Sequence, residues 1–163
     1  MGHVKKPDTQ FSQVNLKALL YEILDFLKKD IKDKRIRINW EIEKNKQVVW
    51  TDPYQMRQVL MNLLNNAIHA LKKHGVITLS TCEIDDDIIL EIKDNGVGIP
   101  KPNLGKIFDP FFTTKSFDEG TGLGLFVVHK IILNLDGKID VTSKIGEGTC
   151  FKIRLPKNAK TNE

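Results

Sequence analysis

The stretch that most constrains this chain runs from Asp94 to Phe126. It reads DNGVGIP (Asp94 to Pro100), then FDPFFTTK (Phe108 to Lys115), then GTGLGLF (Gly120 to Phe126). Two glycine-rich turns flank a loop with an aromatic anchor, and the second turn runs straight into an apolar helical pattern. Glycine lets backbone N–H groups approach a ligand with no Cβ in between. A glycine turn that opens a helix also offers unsatisfied N–H donors and a positive dipole end to phosphates. These residues read as a nucleotide site, and the rest of the chain tests that reading.

At 163 residues the chain has the size of one domain and can bury roughly two-thirds of its unfolded surface. A hydrophobic content of 40% and a charged content of 28% describe an ordinary soluble globular protein. The formal charge of +4 is spread along the chain, whereas a nucleic-acid binder clusters its Lys and Arg on one element. No nucleic-acid partner is expected. Cys82 and Cys150 lie far apart in strand-like patterns with no CxxC pair, which fits free thiols in a reducing, cytoplasmic compartment. No apolar run approaches about 18 residues and no signal peptide is visible, so no direct membrane contact is expected of this segment. Met1-Gly2-His3 reads as an expression scar on a chain that begins inside a longer protein. The expected organisation is scar and linker remnant over 1–10, one domain over 11–157, and a frayed tail over 158–163.

Taken in order, Phe11 to Val14 is short and alternating, and Asn15 is placed to cap a helix. Leu19, Leu20, Ile23, Leu24, Leu27 and Ile31 then follow helical spacing, predicting an amphipathic helix of about four to five turns. Ile36, Ile38, Trp40 and Ile42 alternate with polar residues, a half-buried strand; Gln47 to Thr51 is a shorter one. Asp52-Pro53 opens a second helix, with the acid as N-cap and proline at the first position. It runs to about Lys73 on a core stripe from Met56 to Leu71. Its other side carries Asn62, Asn66 and His69 within about 60° of one another. A solvated polar face is the plain reading. Against it, two asparagines stand one turn apart where an exposed face takes Glu and Lys, and asparagine is a poor helix former.

Val76 to Ile84 and Ile88 to Lys93 predict a hairpin around the acidic turn Asp85-Asp86-Asp87, which delivers Asp94 to the first glycine turn. Lys101 to Glu119 is expected to be mostly loop, long enough to act as a mobile lid. Gly122 to Leu135 is helical, and Lys138 to Ser143 and Thr149 to Leu155 are closing strands around Gly146-Glu147-Gly148.

Together these blocks resemble the ATP-binding catalytic domain of sensor histidine kinases, in the superfamily shared with gyrase, the heat-shock-90 chaperones and MutL. The asparagine box is QVLMNLLNNAIHAL (Gln58 to Leu71). The first glycine box, the phenylalanine box (Phe108 to Lys115), the second glycine box and the GEGT turn (Gly146 to Thr149) follow in the family's order, over about residues 10 to 157. The short lid spelled FFTTK is similar to the nitrogen-regulator type. The resemblance implies an α/β (α+β) two-layer sandwich: a mixed sheet of about five strands, three helices on one face, and a mobile ATP lid. It also implies the cofactors ATP and Mg2+.

Residue by residue, the resemblance implies that Asp94 accepts a hydrogen bond from the adenine amino group, selecting ATP over GTP. A carboxylate is acceptor-only and faces the guanine carbonyl unfavourably. Asn66, with Asn62 one turn earlier, is implied to hold magnesium through amide oxygens, suitable hard ligands. His69 stands where many relatives carry lysine and Ala70 where many carry tyrosine; for His69, phosphate contact and solvent exposure both remain open. Gly96, Gly98, Gly120, Thr121, Gly122, Leu123, Gly124 and Leu125 are implied to approach the nucleotide, with N–H donors from 122–124. Ile99 and Leu123 line the adenine slot or belong to the core. Lys115 is a phosphate-binding cation or a solvated lysine. Thr149 reaches adenine through water, and Phe108, Phe111 and Phe112 anchor the lid by burial. Position 62 is a glutamate in the hydrolysing branches. Asparagine cannot serve as a general base, which favours phosphoryl transfer over autonomous hydrolysis.

The family's acceptor is a histidine on a dimerising helical hairpin. None of His3, His69, His74 and His129 lies in such a motif. The expected partners are therefore a separate phosphoacceptor and sensor portion and a response regulator. The rivals are a serine kinase of the anti-sigma type or a hydrolysing ATPase, a non-catalytic nucleotide-sensing or protein-docking module, and a basic RNA-binding domain.

Overall fold

Where apolar residues recur every third or fourth position this chain is helical, and where they alternate it is extended. The computed structural model describes residues 8–112 and 124–159. The main helices are α1 (Leu16–Phe26), α3 (Pro53–Ala70) and α5 (Gly124–Asn134); α2 (Lys28–Asp33) and α4 (Lys101–Leu104) are short. The strands are β1 (Ser12–Asn15), β2 (Arg37–Glu41), β3 (Val48–Thr51), β4 (Val76–Ile84), β5 (Asp87–Asp94), β6 (Lys138–Lys144) and β7 (Gly148–Pro156).

Five strands form the main sheet in the order β2-β4-β5-β7-β6; β2 runs parallel to β4, and the other pairs are antiparallel. The helices α1, α3 and α5 cover one face, burying Leu20, Leu60, Leu64 and Val128 against Leu79, Leu90, Ile92 and Ile153. This is the mixed-sheet sandwich expected from the resemblance. Alternation explains which strand residues face inward: in β5, Ile88, Leu90, Ile92 and Asp94 are buried while Lys93 is exposed.

The opposite face is polar. Arg154 Nε meets Asp87 at 2.7 Å, and Lys152 Nζ lies 3.7 Å from Glu91. The Cys150 thiol donates to Glu91 at 3.6 Å; burial first, then the charge of Glu91, push its pKa up to about 11. Both cysteines are free thiols. Among the described residues, no helix is long and apolar enough to cross a membrane.

The structure departs from the periodicity in two places. The first helix breaks at Leu27, where α1 ends and α2 begins; α2 buries none of its residues, so no apolar stripe holds it in line with α1. Residues 48–51 do not join the main sheet. They pair antiparallel with β1 in a separate two-stranded ribbon, Val14 opposite Val49. Packing also starts ahead of residue 11: Thr9 is buried, and the Gln10 N–H donates to Asp52 at 2.9 Å.

Asp52 joins this ribbon to α3. One carboxylate oxygen accepts from the N–H groups of Tyr54 (2.9 Å) and Gln55 (3.2 Å), and the other accepts from Gln10 and the Gln55 amide. Burial pushes the carboxyl up, but these four hydrogen bonds outweigh it and hold it below the usual 3.8. A group depressed in the folded state stabilises above its unfolded pKa and loses that stabilisation as pH falls through its folded value. Asp52→Ala is expected to cost about 1–2 kcal/mol in urea unfolding at pH 7, the upper range for an N-cap. The gap between parent and variant should shrink at pH 3; a gap that stays constant would show that the charge of Asp52 is not what caps the helix.

Candidate functional site

Asp94 ends β5, where the alternation of that strand turns its side chain inward. Its Oδ1 accepts from the Gly96 N–H at 2.8 Å, and the Thr149 N–H also bonds the carboxylate. Burial pushes the carboxyl above its usual range; the two N–H donors pull it back only in part. The result is a buried carboxylate with backbone donors and no cation bonded to it among the described residues, which leaves acceptor capacity for a ligand amino group.

The first glycine turn is held between two surfaces. On one side, the Val97 N–H donates to the Ala70 carbonyl at 3.1 Å, and a Cβ on Gly96 would lie 2.5 Å from that oxygen. On the other, the Gly146 N–H donates to the Val97 carbonyl at 2.9 Å, and Gly98, at φ +79, faces the Lys144 carbonyl so closely that a Cβ would collide with it. Gly96 and Gly98 therefore have a packing reason of their own: they let the turn lie on the end of α3 and on the β6–β7 hairpin. Asn95, just ahead of Gly96, ties the turn to β4 through its Oδ1, which accepts from the Val76 N–H at 2.8 Å.

Helix α3 brings the asparagine box along this wall. Asn62 and Asn66 are half-buried and His69 is exposed. The Asn62 amide nitrogen points to the Gly124 carbonyl at 3.5 Å, at the start of α5, so the second glycine box meets the asparagine box here. At the far end of α3, Ala70 meets the first glycine box. The eight helical steps from Asn62 to Ala70 span about 12 Å, comparable to an extended nucleoside triphosphate. The C-terminal end of α3 is fastened by Lys34, whose ammonium donates to the carbonyls of Ile68 (2.7 Å) and Leu71 (3.0 Å).

Ile99 and Leu125 are half-buried and pack against the core. Thr149 is buried opposite Asp94 in the β5–β7 register. Lys115, Gly120, Thr121, Gly122 and Leu123, with the end of the expected lid from residue 113 to 119, lie outside the described residues. Among the described residues, no group of three or more His, Cys, Asp or Glu could hold a metal.

Of the three lid phenylalanines, Phe108 packs on the rings of His129 (5.3 Å) and Phe151 (6.4 Å), and Phe112 packs against the core. Phe111 does not anchor by burial. It is 73% exposed and sits at φ 67 in a turn closed by the Phe112 N–H on the Asp109 carbonyl; this left-handed backbone, two residues into the turn, directs its ring outward.

Sequence reasoning missed Lys34 and Ser143. The Ser143 hydroxyl accepts from the Ile99 N–H at 2.7 Å. A signal was available: Ile139, Val141 and Ser143 share one face of β6, and a polar residue at an inward register needs a partner.

Residues 51–159 match the family described as "Histidine kinase-, DNA gyrase B-, and HSP90-like ATPase". The chain belongs to this family. It is 37% identical over 155 residues to the sensor histidine kinase ZraS of Escherichia coli K12, covering 95% of this chain and 33% of ZraS. It is 38% identical to sporulation kinase A of Bacillus subtilis, covering 88% of this chain and 23% of that protein. The chain thus spans about a third or less of the curated relatives it matches. Among solved structures, the catalytic domain of histidine kinase ThkA superposes with a TM-score of 0.81 at 33% identity, covering 91% of this chain and 96% of that one. By sequence and fold this is a catalytic domain of the histidine kinase type, in a family of ATP-binding domains.

Gly148 and Gly146 separate packing from backbone strain. Both have positive φ, but a Cβ on Gly148 would strike the Asp94 carbonyl, while Gly146 has open space around it. Gly146→Ala is expected to cost about 1–2 kcal/mol, the left-handed penalty alone. Gly148→Ala should cost clearly more and weaken nucleotide binding, because Asp94 must move. Equal losses in denaturation midpoints would contradict this geometry.

Proposed function

We propose that this chain binds Mg-ATP and serves as the phosphoryl-donating portion of a cytoplasmic two-component sensor kinase. The γ-phosphoryl passes to a histidine nitrogen on a separate dimerising helical portion, and from there to a response-regulator aspartate. The observation that carries the reading is the layout of α3. Its last turn meets the first glycine turn beside Asp94, and its asparagine face meets the start of α5, about one nucleoside triphosphate apart. A solved structure of ThkA in complex with the response regulator TrrA, 29% identical to this chain, supports the partner class.

In this reading Asp94 receives the adenine amino group, with Thr149 beside it. The donor chemistry suits magnesium: Asn66 and Asn62 would hold the ion through their amide oxygens, hard ligands, with phosphate and water completing its shell. When bound, it neutralises charge on the phosphates. By the family resemblance the N–H groups of 122–124 are assigned to the phosphates and Lys115 to the β- or γ-phosphate; of these, Gly124, which opens α5, is among the described residues. His69, one turn beyond Asn66 and exposed, is within the same face of α3 and is kept as a candidate phosphate contact. Asn62 has no basic atom with which to activate water, so the phosphoryl group waits for a protein acceptor.

Titration with ATP and GTP, with and without magnesium, tests the base and metal assignments. The parent should prefer ATP and bind more tightly with magnesium. Asp94→Ala should lose roughly tenfold or more in ATP affinity, the size of one hydrogen bond to a charged group. Preference for GTP, or an intact ATP affinity in Asp94→Ala, would sink the assignment.

Labelled ATP tests the acceptor assignment. The chain alone should remain unlabelled, and label should appear on an added dimerising helical domain from a cognate kinase. Stoichiometric acid-labile label on the chain itself would refute it.

A further inference from the structure

The wall around Asp94 holds one side chain that the reading above does not use. The Ser143 hydroxyl accepts from the Ile99 N–H at 2.7 Å, donates to the Gly148 carbonyl at 2.9 Å, and shares a hydrogen bond with the Thr149 hydroxyl at 2.8 Å. Each of these partners borders the candidate base-binding end. Ile99 follows the first glycine turn, Gly148 lies against the Asp94 backbone, and Thr149 pairs with Asp94 across the β5–β7 ladder.

A hydroxyl carries one proton and two lone pairs, and an isolated one rotates to suit whatever it meets. Thr149 is not isolated. Only one proton can lie between its oxygen and that of Ser143. Ser143 already commits its one proton to the Gly148 carbonyl, so Thr149 gives the proton between them and faces a ligand as acceptor only. The bond thus commits the Thr149 hydroxyl to that single role. A group with a single role distinguishes an amino from a carbonyl substituent; a freely turning hydroxyl serves both.

We propose that Ser143 is a specificity-determining positioning residue: by committing the Thr149 hydroxyl beside Asp94, it sharpens the choice between adenine and guanine nucleotides. The inference rests on the assignment of Asp94 and Thr149 to the base. Ser143 acts through Thr149 and does not itself touch the base. Its bond to Ile99 is a separate contribution, which holds the turn for any nucleotide and therefore changes both affinities together.

The ratio of GTP to ATP dissociation constants separates the two contributions. Calorimetric titrations with both nucleotides on the parent, Ser143→Ala, Thr149→Val and the double variant form a cycle. Ser143→Ala is expected to lower the ratio roughly fivefold, the scale of one neutral hydrogen bond, beyond any common weakening. In the Thr149→Val background, with no hydroxyl to commit, the same change should leave the ratio where it was. Ser143→Thr keeps a hydroxyl on a residue that suits a strand and should rescue the ratio. If Ser143→Ala weakens ATP and GTP equally, the proposal is overturned and Ser143 only anchors the turn. If that variant does not fold, Ser143→Cys carries the same expectation through its weakly bonding thiol, and an unchanged ratio there overturns the proposal equally. A parent that binds both nucleotides alike defeats the underlying assignment of Asp94; a parent that prefers ATP while Ser143→Ala leaves the ratio unchanged defeats only the present inference.

Discussion

The contact on which the site depends is the seating of the first glycine turn on the end of α3. A helix leaves its last four carbonyls without intrahelical partners. Here the Ala70 carbonyl takes the Val97 N–H, while Lys34 takes those of Ile68 and Leu71. Two parts of the chain distant in sequence thus finish one helix. The same bonds fix how far the asparagine face stands from Asp94, because α3 is rigid between them. The absence of a Cβ at Gly96 makes this seating possible, for any side chain there would meet the Ala70 oxygen.

Asp94 supplies the chemical tension. Burying a carboxylate is costly unless hydrogen bonds or a counter-charge compensate, and two backbone donors compensate only in part, as the raised pKa indicates. Nearby turns are shaped around this residue: Gly148 lies on its backbone, Gly96 bonds its side chain, and Thr149 both pairs with it and leans on Ser143. Asp52 is the instructive contrast. It too is buried, but four donors surround it and its pKa falls. One acid is satisfied by the fold and acts as a cap; the other is left with unused acceptor capacity facing the candidate site.

Much of this was legible in the chain. Helical spacing located α1, α3 and α5, the Asp52-Pro53 start was read correctly, and alternation found both hairpins. Ordered glycine and asparagine boxes pointed to the family. What stayed hidden depends on contacts between elements that no local pattern encodes. Strand 48–51 reads the same whether it extends the main sheet or pairs with β1. The break at Leu27 lies within an intact helical pattern. Phe111 looks as apolar as its neighbours, yet a left-handed turn sends it outward. Gly96 and Gly98 suggested ligand approach, and their nearest neighbours turned out to be the protein's own carbonyls. Ser143 broke an apolar alternation and could have been noticed.

The parallel pairing of β2 with β4 has a consequence for how the domain assembles. Arg37 meets Val76 only after the chain has passed through the ribbon strand and the whole of α3, whereas the β4–β5 and β6–β7 hairpins close over short turns. Long loops cost more entropy to close than short ones, and non-local pairings slow folding. The helix bearing the asparagines is the crossover of that non-local pairing. Affinity for a nucleotide therefore arises with the finished architecture, and a half-assembled chain, hairpins formed but β2 still unpaired, offers an incoming triphosphate only fragments of a binding surface.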